Sequence, residues 1–262
     1  MVLVQQASNI LMKFTKNQFE RYSRQIILKK VGIAGQKKLL KSKVLIIGAG
    51  GLGSPISIYL AATGVGTIGI VDKDKVEISN IQRQILFNTK DVQKSKSSIA
   101  AKKLKQLNPN INIIYFNDRI KKNNINKIAK NFDIIADGSD NFKTRFIIND
   151  YCLKNKKILV VGAISKFDGH VYTFNFLNKK SPCLRCFMPK IPKNDTLNCE
   201  YEGVLGPLAG VIGSIQANEI IKEILNIGES LCGSILIVNS LNLNFRKVKL
   251  KKNINCYCNG LH

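Results

Sequence analysis

The sequence predicts an α/β protein with a doubly wound, mostly parallel sheet. Apolar, strand-like segments at 43–48, 67–72, 111–116, 132–137 and 157–162 alternate with helical patterns, and this alternation is typical of parallel sheets covered by helices on both faces. The first strand also runs directly into a glycine-rich turn and a helix, as in a βαβ unit. Hydrophobic residues make up 45% of the 262 residues, which is enough for a packed core.

The helical segments follow the strands in order. Residues 16–42 precede the first strand and have the period of amphipathic helices, and further helical patterns lie near 53–63, 96–107, 122–130 and 141–155. We therefore expect N-terminal helices at 16–42 and a nucleotide-binding core at 43–165.

The pattern changes after residue 165. Residues 170–176 alternate like a half-exposed strand, 178–200 form a loop region with prolines and cysteines, and 206–225 form a long apolar helix. Residues 235–239 and 243–250 have the pattern of antiparallel strands. We therefore expect 166–262 to be an antiparallel C-terminal extension of one domain that covers 1–262.

The composition favours some classes of protein over others. The net charge is +24, but the lysines are scattered and no aromatic residues interleave with them, so a nucleic-acid interface is not expected; a basic surface would still attract an acidic partner. The uncharged stretch 44–71 changes period and is rich in glycine, which favours a buried βαβ unit over a membrane span. The first residues do not form a convincing signal peptide, and the seven cysteines are unevenly spaced. Both observations indicate a reducing compartment, either the cytoplasm or an organelle stroma.

A glycine motif follows the first strand. Gly48, Gly50 and Gly53 form a G-x-G-x-x-G pattern, with Gly51 between them. Glycines let the backbone approach a phosphate closely, and the following helix N-terminus attracts its negative charge. Asp72 ends the second strand, where an acid commonly binds ribose hydroxyls. The motif therefore predicts a nucleotide site, for which an NAD-dependent dehydrogenase is the default interpretation when the motif stands alone.

Charged residues beyond the motif favour ATP over NAD. Arg83 can hold phosphate oxygens, and Lys96 opposes the dipole at a helix start, where helix propensity does not explain it. Asp137 and Asp140 follow the fourth strand, at the edge where parallel sheets bind ligands, and two acids there suit Mg²⁺. The alternative roles are a solvated lysine at 96 and a helix cap at Ser139 or Asp140.

The cysteines suggest a structural metal site. Cys183 and Cys186 have C-x-x-C spacing, and Cys256 and Cys258 supply a second pair near the C-terminus. Four thiolates from two distant segments are typical of structural zinc. The C-x-C spacing is tighter than usual, which makes Cys258 the less certain ligand, and a redox dithiol or unrelated buried thiols are the alternatives. Cys199 stands apart, in a polar segment before a helix start, where a thiol can become nucleophilic.

Together these motifs resemble one family over residues 19–260. The chain resembles the MoeB/ThiF group of ubiquitin-activating-like adenylyltransferases. The residues that carry the resemblance are Arg21-Tyr-Ser-Arg24-Gln25, the loop from Gly48 to Gly53, Asp72, Ser79-Asn80-Ile-Gln-Arg83-Gln84, Lys96, Asp137-Gly-Ser-Asp140-Asn141, Cys183 with Cys186, Asn198-Cys199, and Gly206-Pro207 followed by Gly210-Val-Ile-Gly-Ser. Two departures are the C-x-C pair and the Gln93 and Ser95 that stand where Gly and Pro are more usual.

The resemblance implies a Rossmann-like fold, ATP, Mg²⁺ and structural Zn²⁺. It implies adenylation of the C-terminal Gly-Gly carboxylate of a small ubiquitin-like sulfur-carrier protein, in molybdopterin or thiamine biosynthesis. Residues 166–262 would then be the carrier-binding and zinc-bearing part. The nucleotide would be held by Gly48, Gly50, Gly51, Gly53, Asp72, Ser79, Asn80, Arg83, Gln84, Lys96, Asp140 and Asn141, with Asp140 on Mg²⁺. In a homodimer Arg24 would reach the neighbouring active site, and Cys199 is a candidate sulfur-carrying thiol. A tRNA threonylcarbamoyladenosine dehydratase-like enzyme and a non-catalytic NAD-binding protein are the alternatives.

Overall fold

The computed structural model describes residues 14–191 and 203–260, and it contains one eight-stranded sheet in the order β3-β2-β1-β4-β5-β6-β7-β8. The strands are β1 Lys43–Ile47, β2 Thr67–Val71, β3 Asn112–Phe116, β4 Ile134–Asp137, β5 Ile158–Ser165, β6 Asp168–Asn175, β7 Ser234–Asn239 and β8 Asn244–Lys249. The helices are α1 Lys16–Ile26, α2 Gly32–Lys41, α3 Gly53–Thr63, α4 Lys96–Leu107, α5 Ile125–Ala129, α6 Phe142–Lys154, α7 Leu184–Phe187 and α8 Gly206–Leu225. Short 3₁₀ turns lie at Ile78–Asn80, Thr89–Asp91 and Tyr257–Gly260.

The predicted fold class is confirmed. Strands β1 to β5 pair in parallel, and β5 to β8 pair antiparallel. Strand β1 lies between β2 and β4, so the chain winds outward from β1 in both directions. Ile47 pairs with both Val71 and Asp137, which aligns the carboxyl ends of the three central strands. In such sheets a ligand crevice forms where the winding direction reverses.

The sheet separates two apolar layers. Val44 and Ile46 of β1 pack in one layer, while Leu45 and Ile47 pack in the other, because successive strand side chains point to opposite faces. Helices α3, α4 and α8 cover the first face, and α5 and α6 cover the second. All of β1 except Lys43 is buried, as a central parallel strand with helices on both faces requires.

Local chemistry explains where α1 and α6 begin. Thr15 and Gln18 form a reciprocal capping box at the start of α1. The alternative role of Ser139 or Asp140 as the cap of α6 is wrong, because the Asn141 side chain accepts the Thr144 N–H at 2.9 Å. Asn141 therefore has a structural role, and Asp140 is left outside the helix.

Some predicted boundaries need correction. Strand β5 continues to Ser165 and β6 begins at Asp168, since the two form a tight antiparallel pair in which Ser165 faces Asp168. The segment predicted as a loop from 178 contains the short helix α7, which begins at the first cysteine pair. Within 14–191 and 203–260, no helix is both long and apolar enough to cross a membrane.

Candidate functional site

A cavity of about 330 Å³ opens at the carboxyl ends of the parallel strands. Its walls come from the segments after β3, β2, β1 and β4 and from the end of β5 with His170 of β6, in the order in which the strands lie side by side. The predicted nucleotide-site residues that line it are Gly48, Gly50, Gly51, Asp72, Asn80, Arg83, Gln84, Lys96, Asp140 and Asn141. Tertiary structure thus brings together residues from a stretch of 94 positions, from 48 to 141.

Among the described residues, three other residues predicted for the nucleotide and catalytic sites do not line the cavity. Gly53 lies beneath the glycine turn, and Ser79 offers its carbonyl to Arg83 Nη1 at 3.2 Å. Arg24 is exposed on α1. Cys199 lies outside the described residues.

The glycine turn needs its glycines for two different reasons. Gly48 has a φ of +90°, in the left-handed region, and a Cβ there would lie 2.9 Å from Gly138 O. A Cβ on Gly53 would lie 1.8 Å from Gly48 O, so only glycine lets α3 begin so close to the turn. The turn therefore leaves backbone N–H groups and a helix start facing the cavity.

Asp72 ties the end of β2 to the glycine turn. Its Oδ2 accepts the Ala49 N–H at 2.8 Å, and its Oδ1 accepts the Asp74 N–H at 2.8 Å. Burial raises the pKa of this carboxyl although both hydrogen bonds oppose that shift. Asp72 is half-buried at the cavity wall, where it can accept further hydrogen bonds from ribose hydroxyls.

Cations line the same cavity. Lys96 is buried at the first position of α4, with its Nζ 3.9 Å from Asp74 Oδ2. Arg119 Nη2 lies 4.0 Å from Asp74 Oδ1. The half-buried Arg83 also lines the cavity, and Lys73 and Arg145 bring the number of positively charged lining residues to five. Sequence reasoning missed Asp74 and Arg119, since nothing in their local sequence separates them from other surface charges.

The turn before Lys96 carries a strained residue. Gln93 has a φ of +67°, the left-handed region that favours glycine, and it occupies a position where the resembled family more often has Gly. Its N–H donates to Val76 O at 2.8 Å, and Val76 N–H donates to Lys94 O at 2.9 Å. These two bonds hold the turn against the segment after β2, and so place Lys96 at the cavity.

Only one of the two predicted magnesium-binding acids faces the cavity freely. Asp137 is fully buried, with its Oδ2 3.4 Å from Arg145 Nε and its Oδ1 accepting the Ser139 N–H at 2.9 Å. Burial raises the pKa of Asp137, and the Arg145 guanidinium opposes that shift. Asp137 is therefore part of a buried ion pair, which corrects the expectation of a two-acid site. Asp140 is exposed at the cavity and can offer its carboxylate to a cation.

Arg145 is the residue that shapes this side of the cavity. Its Nη2 donates to Ser139 O at 2.9 Å and to Gly162 O at 3.2 Å, so one buried guanidinium joins the segment after β4 to strand β5. Sequence reasoning missed Arg145 because it lies within an ordinary helical pattern.

The four predicted metal ligands form one cluster. The Sγ atoms of Cys183, Cys186, Cys256 and Cys258 all lie within 4.8 Å of one another, and each residue is at most 9% exposed. Three Sγ–Sγ distances are 3.6, 3.7 and 3.9 Å. A tetrahedron with zinc–sulfur bonds of about 2.3 Å has edges of about 3.8 Å, so the cluster fits zinc. The C-x-C pair contributes both of its sulfurs to the cluster, so Cys258 lies where a fourth metal ligand would be needed.

Burial and crowding disfavour ionised thiols in this cluster unless a cation binds them. Burial raises the pKa of Cys258 to about 12, and burial with the neighbouring sulfurs raises the pKa of Cys183 further. Cys183 N–H also lies 3.4 Å from Cys186 Sγ, an N–H···S contact that stabilises a thiolate. A divalent ion would offset the repulsion between four crowded sulfurs. All described cysteines are free thiols.

Known proteins share both the sequence pattern and the fold. The model of the ThiF family matches residues 22–259. The chain is 41% identical over 249 residues to a sulfur carrier protein adenylyltransferase of Thermus thermophilus, covering 94% of this chain and 92% of that protein. It is 45% identical over 239 residues to a probable molybdopterin-synthase adenylyltransferase of Porphyra purpurea, covering 90% of this chain but 62% of that protein's length. It is 42% identical over 240 residues to a SAMP-activating enzyme E1 of Haloferax volcanii, covering 91% and 88%.

Solved structures agree on the fold. The crystal structure of MccB from E. coli superposes with a TM-score of 0.81 at 22% identity, covering 94% of this chain and 73% of that one. PaaA superposes with a TM-score of 0.77 at 22% identity, covering 91% and 75%. At this level of identity the two structures support the architecture alone.

Proposed function

Because this chain belongs to the ThiF family, we propose that it is an adenylyltransferase that activates the C-terminal carboxylate of a small sulfur-carrier protein with ATP. The observation that carries the proposal is the single cavity in which the glycine turn, Arg83, Lys96 and Asp140 meet. The Thermus relative is named for action on a sulfur carrier protein, and the Porphyra relative for molybdopterin synthase.

The order of strands along the cavity gives the proposed orientation of ATP. Asp72, after β2, accepts hydrogen bonds from the ribose, and the glycine turn after β1 approaches the phosphates. Arg83 and Lys96 neutralise the phosphate oxygens, and Asp140, after β4, would hold Mg²⁺, which would neutralise further phosphate charge. The base then lies toward β3, near Arg119.

The acceptor carboxylate enters from the opposite end. There the cavity is bordered by Ala163 and Ser165 at the end of β5 and by His170 of β6. The carboxylate is ionised at neutral pH and needs no general base. Its oxygen attacks the α-phosphorus, a carboxylate O–P bond forms, the bond from the α-phosphorus to the bridging oxygen breaks, and pyrophosphate leaves. The protein contributes positioning and fixed positive charge, which are the main requirements of this chemistry.

Three further assignments belong to this proposal. Arg24, exposed on α1, reaches the active site of a second subunit in a homodimer. Cys199 is a candidate thiol for a later sulfur-transfer step. The four-cysteine cluster holds structural Zn²⁺, and reduced thiols at that cluster suit the cytoplasm or an organelle stroma.

The alternatives are less well supported. A tRNA-modifying dehydratase would need an RNA-binding surface, and the named relatives point instead to carrier proteins. A non-catalytic NAD-binding protein would not need a cation-lined cavity with an exposed acid at the phosphate end.

The test is ATP–pyrophosphate exchange with Mg²⁺, with and without a carrier protein that ends in Gly-Gly. We expect exchange that depends on the carrier and on its terminal glycines. Arg83→Ala and Asp140→Ala should each reduce exchange by about 100-fold or more, the usual effect of losing one transition-state contact. Lys127→Ala, which removes an exposed charge on α5, is the matched control and should not change the rate.

Two results would reject the proposal. Wild-type exchange in either Arg83→Ala or Asp140→Ala would reject the site. Exchange with tRNA, and none with carriers of the molybdopterin or thiamine type, would transfer the assignment to the dehydratase.

A further inference from the structure

Each cysteine pair encloses a residue that bonds to the same carboxylate on α6. Arg185 stands within the C-x-x-C pair, and its Nε and Nη2 donate to Asp150 Oδ1 at 2.9 Å and Oδ2 at 2.7 Å. Tyr257 stands within the C-x-C pair, and its hydroxyl donates to Asp150 Oδ1 at 2.6 Å. We call Asp150, Arg185 and Tyr257 the α6 clamp. Two segments 72 residues apart in sequence therefore meet on one side chain as well as in the cysteine cluster.

The α6 side of the clamp is itself held in place. Asn149, fully buried on α6, accepts the Leu184 N–H at 2.9 Å and donates through Nδ2 to Asp150 Oδ1 at 3.1 Å. The Arg185 guanidinium also lies 4.5 Å above the Phe146 ring and 5.4 Å from the Tyr257 ring. Helix α6 thus fixes the clamp by charge, by hydrogen bonds and by ring contacts.

Within the clamp, the Asp150 carboxylate is held in its ionised form. Burial alone would raise the pKa of Asp150, but the hydrogen bonds from Arg185 and Tyr257 outweigh burial and hold that pKa below its usual range. A bidentate arginine–carboxylate contact is strong and geometrically specific. It therefore restricts the orientation of the segments to which Arg185 and Tyr257 belong.

The short C-x-C spacing makes outside support important. One intervening residue leaves the second pair little backbone with which to adjust its two sulfurs. Local bonds fold the segment, since Cys256 N–H donates to Asn253 O at 3.0 Å and Asn259 Nδ2 donates to Ile254 O at 2.7 Å. These local bonds shape the turn but do not attach it to the body of the protein. The hydrogen bond from the Tyr257 hydroxyl to Asp150 makes that attachment, and Tyr257 stands between the two cysteines of the pair.

We propose that Asp150 is a positioning residue for the metal centre, which holds Arg185 and Tyr257 so that both cysteine pairs keep a tetrahedral arrangement against α6. The inference rests on the proposed zinc site and extends it, because it assigns the support of both cysteine pairs to the Asp150 side chain. Asp150 lies on α6, and the first turn of this helix borders the nucleotide cavity. Groups that orient metal ligands without binding the metal typically contribute 10- to 100-fold to metal retention.

The test measures zinc release from the purified, zinc-loaded protein to a chromogenic chelator. We expect Tyr257→Phe, which removes one oxygen and keeps the ring, to release zinc about 10-fold faster than wild type. Asp150→Asn should release it up to about 100-fold faster, because it also loses the charge that holds Arg185. Tyr115→Phe makes the same chemical change at an exposed tyrosine on β3 and should release zinc at the wild-type rate.

A second measurement separates positioning from general destabilisation. The thermal midpoint of the zinc-free form should be the same for wild type and Tyr257→Phe, while the zinc-loaded forms should differ. Equal release rates in wild type and both clamp variants would overturn the proposal, as would an equal loss of thermal midpoint with and without zinc. A wild-type protein that retains no zinc would also overturn it. None of these measurements uses adenylation, so their outcome is independent of the proposed activity.

Discussion

The buried pair of Asp137 and Arg145 offers the sharpest test of how this site is built. The two side chains are 0% and 8% exposed, and Arg145 Nε lies 3.4 Å from Asp137 Oδ2. At an effective dielectric constant near 20, charges at this distance attract by about 5 kcal/mol. Asp137→Asn keeps the shape and removes the charge, which leaves a buried guanidinium without its counter-ion. Breaking such a pair typically costs about 3–5 kcal/mol.

Equilibrium unfolding in urea measures that cost. A loss of about 4 kcal/mol corresponds to roughly a 1000-fold change in the folding equilibrium, since about 1.4 kcal/mol is a factor of ten. Glu20→Gln on the exposed face of α1 removes a carboxylate without a buried partner, and should stay within about 0.5 kcal/mol of wild type.

A double variant distinguishes the ion pair from simple loss of packing. Asp137→Asn combined with Arg145→Met removes both charges, so it should be less destabilised than the sum of the single variants by about 2 kcal/mol or more. Additive effects, or an Asp137→Asn variant within about 1 kcal/mol of wild type, would show that the pair does not stabilise this region as argued.

Three further predictions follow from other parts of the structure. Gly53→Ala should lower the free energy of unfolding by about 3 kcal/mol, because its Cβ would overlap a backbone carbonyl at 1.8 Å. Gly210→Ala is the control, since its Cβ would enter open space on α8 and should not lower stability. Equal effects of the two substitutions in urea unfolding would contradict this prediction. Burial lowers the pKa of His170, so its contribution to stability is present above the unfolded pKa of about 6.5 and is lost as pH falls through the folded pKa. His170→Gln should therefore flatten the fall in urea midpoint between pH 7.5 and 5, and an unchanged slope would count against the assignment. Cys183→Ser should release zinc and lower the thermal midpoint by about 5–10 °C, measured by elemental analysis and calorimetry; a metal-free wild type would refute the zinc assignment.

Local pattern was enough to predict the nucleotide-binding half of the fold. The alternation of apolar runs with helical periods predicts strands and helices within a few residues of their observed bounds. A strand that is buried on both faces must be a continuous apolar run, so its position is visible in the sequence. The glycine motif is equally readable, since a close approach between α3 and the turn tolerates no Cβ at Gly53. Parallel strands end at one edge, so residues such as Asp72 and Asp140, which follow strands, could be expected to meet there.

Side-chain partners were beyond the reach of sequence pattern. Asp137 and Asp140 are alike in sequence, yet one is buried against Arg145 and the other is exposed at the cavity. Asn141, rather than either neighbouring candidate, caps α6. Asp74 and Arg119 join the cavity because the segments after β2 and β3 lie side by side, a fact that depends on strand order.

The cysteine cluster shows the same division. The four cysteines could be predicted as metal ligands from the sequence, because closely spaced pairs of thiols in a reducing compartment seldom form structural disulfides. Whether both sulfurs of the tight C-x-C pair could join the cluster depended on how the backbone around Cys256 and Cys258 folds. The Tyr257 hydroxyl attaches that backbone to Asp150, more than 100 positions earlier in the sequence. Periodicity and motif spacing report which face of an element is buried and which backbone positions need glycine. Long-range pairing of polar side chains is set by how the elements pack, so only the tertiary structure could decide it.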